Sequence, residues 1–420
     1  SSELEINLQQ VSNDTYLKIH DINTTLVNKE ISVLENTINY DYNYEDLFLG
    51  INFSIYDDLT KEGNKKYEYL LPFITFDKNL LVDDKYGTID LSSKLQVRNF
   101  DVDKQTEMFV NDFIWSSKKF ISSLGIENEF KGLIKGTNYK ASNTNIYKTE
   151  NSNSELSGAL GALSKLDFYK DDNIKMETHL LSPKILFRHA PGHMRNIKEE
   201  SNRLRYDNLF EMNKVEAIDV VQKGTSASLG FNYSINKLNE DKSMGEKRFE
   251  FSAGQVINLE ENTDMSSQSS MDQRFSDVVG TSIIKINDNL NINYNFAVDQ
   301  NLKKLNYNDI GIDFSEGIAK FNLNYYQEKE HIGNSEYLES NIDLNLTNTT
   351  ELSFSNKRNL ITNSSEFYSL SYNYLNDCLK AGLVYRREFY TDRDIEPEDS
   401  LMFRITLTPL GGISTPTISR

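Results

Sequence analysis

Between Gly224 and Leu238 the chain alternates without interruption. Apolar Ala227, Leu229, Phe231, Tyr233 and Ile235 interleave with small or polar Ser226, Ser228, Gly230, Asn232 and Ser234. A strand points successive side chains to opposite faces, so this segment has one oily face and one wet face. The same rhythm returns at 46–56, 289–299, 318–326, 336–346, 350–356, 366–375, 380–390 and 400–408. Roughly 17 to 20 such segments follow one another at intervals of about 20 residues, the spacing of hairpin-connected antiparallel strands. Soluble sandwiches and propellers alternate too, but their strands average about 5–6 residues. Here many segments run for about 10 to 14 residues, and ~10 tilted residues cross the hydrocarbon core of a membrane. The pattern predicts an all-β chain folded as a large antiparallel transmembrane β-barrel. A pore, gate or transporter in an outer membrane then fits better than a soluble enzyme.

Composition agrees with that reading. No stretch approaches the ~20 consecutive apolar residues of a membrane helix. Mean hydropathy is low, at −0.56, which a barrel tolerates because only alternate residues meet lipid. The 23 Tyr and 23 Phe suit strands and membrane interfaces, and with 6 Pro few ladders are interrupted. A net charge of −18 with no basic run speaks against a nucleic-acid partner. The surplus acid belongs in the lumen and loops, where water solvates it. The single cysteine, Cys378, has no partner within the chain, so it is a free thiol or bonds outside it. No composition break marks a domain boundary. The opening residues, Ser1 to Ile6, start inside an alternating segment with no export signal, which predicts a mature form or, better, a fragment of a longer protein.

Candidate chemistry is sparse. The histidines are His20, His179, His189, His193 and His331. His189 and His193 stand four apart, but Pro191 and Gly192 between them forbid the helix face that would aim both at one metal. A structured loop turning into the lumen is expected there instead. Asp392, Asp394, Glu396, Glu398 and Asp399 offer oxygens to a hard cation, yet Arg393 interleaves and no ligand spacing is present, so a solvated loop is expected. There is no glycine-rich phosphate loop and no locatable nucleophile constellation. No catalytic residue, cofactor site or metal site is therefore assigned. Short polar turns at 287–289, 347–350, 362–365 and 375–377 contrast with longer connections at 139–154, 192–204 and 260–274, an asymmetry typical of outer-membrane barrels. Helical periodicity occurs only briefly, near 197–212.

Four ordered blocks carry a family resemblance. They are Asn13 to Leu17; Ser182 to His193 with Met194, Arg195 and Asn196; Arg205 to Phe210, followed by Asp219 to Gly224; and Tyr385 to Leu401. Together they make nearly the whole chain similar to the C-terminal barrel of the lipopolysaccharide-assembly outer-membrane family, LptD, of Gram-negative bacteria, closest to alphaproteobacterial members. The resemblance implies a periplasmic jellyroll followed by a barrel of about 26 strands. Residues 1–420 would be the C-terminal part of that barrel, about 18 strands, with the jellyroll and first barrel strands absent. It implies a plug lipoprotein of the LptE type, a periplasmic lipopolysaccharide-transport bridge reached through the missing N-terminal domain, and contact with lipopolysaccharide and outer-membrane lipid. Function, on this resemblance, is insertion of lipopolysaccharide into the outer leaflet through a lumen and a lateral gate, without covalent chemistry. The last strand, 400–408, would form one lip of the gate, with Leu401, Phe403, Ile405 and Leu407 on one face and Met402, Arg404, Thr406 and Thr408 on the other. Pro409 lacks an N–H and truncates pairing there, or simply ends the strand. Cys378 stands where relatives carry a C-terminal cysteine bonded to one in the N-terminal region. Gln222 and Lys223 depart from the acidic residue and glycine that relatives carry before the Gly-Thr-Ser strand. An uptake channel or receptor is the alternative, and would show an N-terminal plug or a constriction loop with opposed charges; neither is visible. An outer-membrane hydrolase would need a smaller barrel.

Overall fold

Twenty-four strands form one sheet in the computed structural model, which describes residues 1–19, 31–144, 147, 151–239, 244–376, 379–389, 399–407, 411–414 and 418–419. The first half comprises β1 (Ser2–Asn7), β2 (Val33–Tyr44), β3 (Leu47–Asp58), β4 (Tyr67–Asp83), β5 (Gly87–Phe100), β6 (Lys104–Ser116), β7 (Phe120–Ile121), β8 (Glu127–Ser142), β9 (Asn153–Lys165), β10 (Phe168–Asp172), β11 (Glu177–Ala190) and β12 (Gly224–Leu238). The second half comprises β13 (Met244–Asn258), β14 (Val278–Asn287), β15 (Leu290–Val298), β16 (Leu305–Glu316), β17 (Ala319–Glu328), β18 (Ser335–Thr347), β19 (Thr350–Asn359), β20 (Ser364–Leu375), β21 (Leu379–Glu388), β22 (Asp399–Leu407), β23 (Gly411–Ser414) and β24 (Ile418–Ser419). Every pairing is antiparallel, and neighbours in sequence are neighbours in the sheet. The exceptions are broken staves: β9 and β10 both pair with β11, β6 and β7 both pair with β8, and β23 and β24 both pair with β22. Counting each broken stave once leaves 21 of the 24 strands, still more than the expected 18 or so. The broken staves also move the sheet's edge: β22 is not the last strand, because β23 and β24 lie on its far side. Pro409, Gly411, Gly412 and Pro416 break the two-residue rhythm there and hide that stave from a pattern reading. No pairing joins β1 to β23 or β24 among the described residues.

The rhythm sorts cleanly into two faces. On β12, Ser226, Ser228, Ser234 and Asn236 are buried, while Leu229 on the opposite register is exposed. On β11, Thr178, Ser182, Leu186, Arg188 and Ala190 are buried, and Leu181 and Phe187 are exposed. The exposed register continues across strands in rows: Leu95 faces Phe109, Leu181 faces Tyr233, and Tyr372, Leu383 and Phe403 stand side by side on β20, β21 and β22. Such rows of aromatic and aliphatic side chains are what a lipid-facing wall requires. We call this the outer face and the polar, covered register the inner face. The long strands suit a membrane span, β4 at 17 residues and β8 at 16.

Connections differ at the two ends of the strands. At one end lie the tight turns 45–46, 84–86, 173–176, 288–289, 317–318 and 348–349. At the other lie 8–32, 59–66, 143–152, 191–223 and 259–277. Side-chain oxygens build several of the tight turns. Asp83 Oδ1 accepts from the Lys85 and Tyr86 N–H groups at 2.8 Å, and Asn287 Oδ1 accepts from Asn289 N at 2.9 Å. The sequence places 362–365 with the short turns, but that turn closes on the long-loop end, and β8 runs as strand to Ser142, into what reads as the 139–154 connection. The helical pieces among the described residues are short: Tyr16–Ile19, Gly63–Lys66 and Gln268–Ser270. None near 197–212 is helical, and no helix is long and apolar enough to cross a membrane.

Candidate functional site: a plugged inner face and a weak terminal seam

The connection 191–223 folds back onto the inner face of the sheet. Its Met194, Ile197, Leu204, Leu209, Val215 and Val220 are buried with Met265 and Met271 of the 259–277 connection against Val256, Val279 and Ala297 of the wall. Its Met212 and Val221 pack on Leu133, Ala159, Leu186 and Ala190. The patch explains why an otherwise polar inner register turns apolar here. Burial of each such side chain contributes about 1.5–3 kcal/mol. Access for these side chains comes from glycine. Gly230 and Gly254 are directly paired on β12 and β13. A Cβ on Gly254 would collide with Leu209 Cδ2, and one on Gly230 would sit 3.1 Å from Phe210 Cζ and 2.7 Å from a backbone oxygen. A side chain at either position would push the loop off the wall.

Two wall cations then clamp the loop through its carbonyls. Arg188, 2% exposed, donates from Nε to Met212 O at 2.5 Å and from Nη2 to Gln222 O. Lys135 donates to Ile218 O at 2.6 Å while pairing with Asp112 at 2.8 Å. Within the loop, Arg195 bridges Asp219 (2.5 Å) and Glu200. Arg203 reaches Glu328 on β17, and its guanidinium lies 4.5 Å over the Tyr307 ring. Lys223 pairs with Asp264 at 2.5 Å, and Ile197 N donates to Asp264 O at 2.8 Å, so the two loops form one lobe. Gln222 and Lys223 thus hold the lobe to the wall and to its other half. Burial pushes the Lys214 ammonium down to about 7, and its Nζ donates to Glu211 O at 3.0 Å.

A second polar node ties the lobe to the connection 329–334. Asp277 is fully buried. His331 Nε2 lies 2.8 Å from its Oδ2, Ser270 Oγ donates to Oδ1 at 3.0 Å, and Asn306 Nδ2 donates to Oδ2 at 3.2 Å. The Asp277 carboxylate raises His331 above its ordinary value. Serine, aspartate and histidine meet here in the wrong order for a nucleophile. The carboxylate, not the imidazole, accepts from the hydroxyl, so the serine–histidine contact of a nucleophile triad is not formed.

The residues singled out in the sequence fall as follows. Leu401 (42% exposed) and Phe403 (45% exposed) lie on the outer face of β22, in register with Tyr385 and Leu383; Met402 on the other register is buried. Ile405 and Leu407 pair with Ile413 and Gly411. Along this edge of β22, β23 pairs over four residues and β24 over two, against nine-residue pairing with β21 on the opposite edge. Pro409, Cys378, His20, Asp392, Asp394, Glu396 and Glu398 lie outside the described residues. Asp399 bonds Tyr385 Oη (3.2 Å) and Arg387 (3.5 Å). His189 and His193 are not brought together: His189 takes the outer register and bonds Thr225 Oγ1 at 2.8 Å, whereas His193 enters the luminal loop. His179 bonds Tyr233 Oη at 2.7 Å. Among the described residues no group of three acidic, histidine or cysteine side chains is placed to hold a metal. The sequence reading passed over Lys135, Arg188, Asp277 and the Gly230–Gly254 pair. Arg188 on an inner register and a glycine inside an unbroken alternation were the available signals.

A family model described as "LptD: LPS transport system D" matches residues 2–377. No curated protein matches the chain. Among solved structures, the chain is similar to the siderophore receptor PirA from Acinetobacter baumannii, with a TM-score of 0.40 at 9% identity, covering 89% of this chain and 71% of that one. It is similar to the ferric enterobactin receptor PfeA in complex with BCV-L6, with a TM-score of 0.40 at 8% identity, covering 92% and 73%. The copper transporter OprC gives 0.34 at 9% identity, covering 89% and 69%. Likeness at this level says nothing of what the chain binds.

Proposed function

The chain belongs to the LptD family of the lipopolysaccharide transport system, at the cell outer membrane, and from that premise we propose that it inserts lipopolysaccharide into the outer leaflet. The sugars travel through the polar inner space and the lipid part leaves sideways at the terminal seam. The observation that carries this reading is the family match over residues 2–377. Two features of the geometry support it. The inner face is polar along most strands and is covered over part of its area by connections of the wall itself. Among the described residues, the edge of β22 away from β21 pairs with two short pieces, β23 over four residues and β24 over two. Net hydrogen-bond gain is ~1 kcal/mol per bond, and an unmade bond in lipid costs more, so opening is favoured where few bonds have to break.

The long-loop end faces outward from the cell and the tight turns face the periplasm, as in other outer-membrane barrels. A plug lipoprotein of the LptE type and a periplasmic bridge are the expected partners. Cys378 forms its disulfide with the N-terminal region of the full protein, and Cys378→Ser slows assembly of that protein. Photo-crosslinking tests the route. With benzoyl-phenylalanine at inward Val384 or Met402, lipopolysaccharide adducts form in energised cells and fade when energy is withdrawn. Absence of adducts at both positions, with a correctly inserted protein, contradicts the route.

A further inference from the structure

We propose that the outer face carries a groove that seats one acyl chain of a phospholipid from the periplasmic leaflet. The site rests on the outer-membrane placement and the orientation of the barrel, and not on the route of lipopolysaccharide. The groove holds about 600 Å³ and crosses β5, β6, β8, β9 and β11, within the size range of small-molecule sites. Its line is set by register. Ile89 pairs with Trp115, Trp115 with Gly132, Gly132 with Leu160, and Leu160 with His189. Phe113, Ile134 and Leu160 stand exposed around it.

Three features identify the occupant. The first is relief. The outer register carries rows of aromatic and aliphatic side chains, but here glycine stands on two adjacent strands, Gly132 on β8 and Gly158 on β9. Glycine inside a strand weakens it and often marks the close approach of a ligand. The wall itself does not demand the bare position at Gly132. A Cβ there would lie 3.4 Å from Trp115 Cε3 and 3.6 Å from Leu160 Cδ2, both ordinary contacts, whereas at Gly254 the lobe already fills the space. The second is chemistry. The lining side chains are hydrocarbon apart from two heterocycles, and both are turned to protein partners. Trp115 Nε1 donates to Tyr86 O at 2.9 Å, and His189 Nδ1 bonds Thr225 Oγ1 at 2.8 Å. Burying a polar ligand here would leave its polar groups unpaired, while a run of methylenes gains dispersion contact along its length. The third is dimension. From Ile89 to His189 the line crosses five strands set ~4.8 Å apart, a length of ~19 Å. Strands tilted by ~45° incline that line equally, so it covers ~13 Å of depth, about one leaflet of a ~30 Å hydrocarbon core. Trp115, next to last in β6 and bonded to the tight turn 84–86, marks the headgroup end, because a tryptophan ring settles at headgroup level. That turn lies on the periplasmic side.

Native mass spectrometry of the full-length protein tests the inference, after reconstitution into vesicles of palmitoyl-oleoyl phosphatidylethanolamine and phosphatidylglycerol and extraction into mild detergent. The parent retains one phospholipid more than G132L, whose side chain fills the groove, and the two share the same heat-modifiable mobility. G136L puts the same side chain on the same strand and face, where a Cβ meets open space, and retains as much lipid as the parent. Should G132L fail to insert, L160W closes the groove from β9 and loses the same single lipid. Equal lipid counts in the parent and the groove-filling variants, or an equal loss from G136L, overturns the inference. So does a parent dimer that G132L dissociates, since a second copy of the chain would then be the occupant.

Discussion

A few buried polar side chains decide whether the luminal lobe stays on the wall. Arg188 supplies bonds to two loop carbonyls at sites where no water reaches. Arg188→Ala leaves both carbonyls unpaired, at a cost of about 2–3 kcal/mol in docking. Amide exchange over 191–223 then accelerates by at least about thirtyfold. Unchanged exchange would show that the clamp is idle. Lys214 works the other way. Its folded value of about 7 lies below the ordinary 10.5, so docking gains as pH rises through that window. Lys214→Met removes the penalty. Its thermal midpoint should exceed the parent's at pH 7, and the gap should narrow toward pH 10. His331 has the opposite sign. With its value raised by Asp277, its contribution is complete below about pH 6.5 and is lost as pH rises through the raised value. Proteolysis within 259–277 should therefore quicken above neutrality, and His331→Gln should abolish that pH dependence.

At the scale of strands and loops, the sequence was legible wherever one force acted alone. Alternation gives the strands β12, β15 and β22 and splits each into two registers, because unlike surroundings on the two sides of a sheet impose a two-residue period. Legibility stops where long-range packing takes over. Nothing local announces that 191–223 turns inward. Its apolar residues are spaced irregularly, and their partners Val256, Val279 and Leu133 lie far away in sequence. The terminal stave was missed for a local reason, since prolines and paired glycines erase its rhythm. The glycine contact between lobe and wall is directly testable. Gly254→Val places a side chain where Leu209 packs and destabilises the docked lobe by about 1–3 kcal/mol. Val at Gly136, whose Cβ position meets open space, should be tolerated; equal loss at both sites would contradict the packing described.

For the molecule as a whole, everything depends on the outer rows meeting lipid while the inner register meets the lobe and water. The proposed route for lipopolysaccharide follows from that division. A charge on an outer row, Phe403→Arg for example, costs about 2–4 kcal/mol near the bilayer centre and lowers the yield of inserted protein. The most direct measurement is spin-label accessibility in bilayers, scanned along Ser228 to Ser234 and Leu401 to Phe403 in a Cys378→Ser background. The account predicts high collision with oxygen at Leu229, Phe231, Tyr233, Leu401 and Phe403, and little with either oxygen or a polar nickel reagent at Ser228, Gly230 and Met402. A flat profile, or nickel collisions peaking at the aromatic and leucine positions, would contradict it.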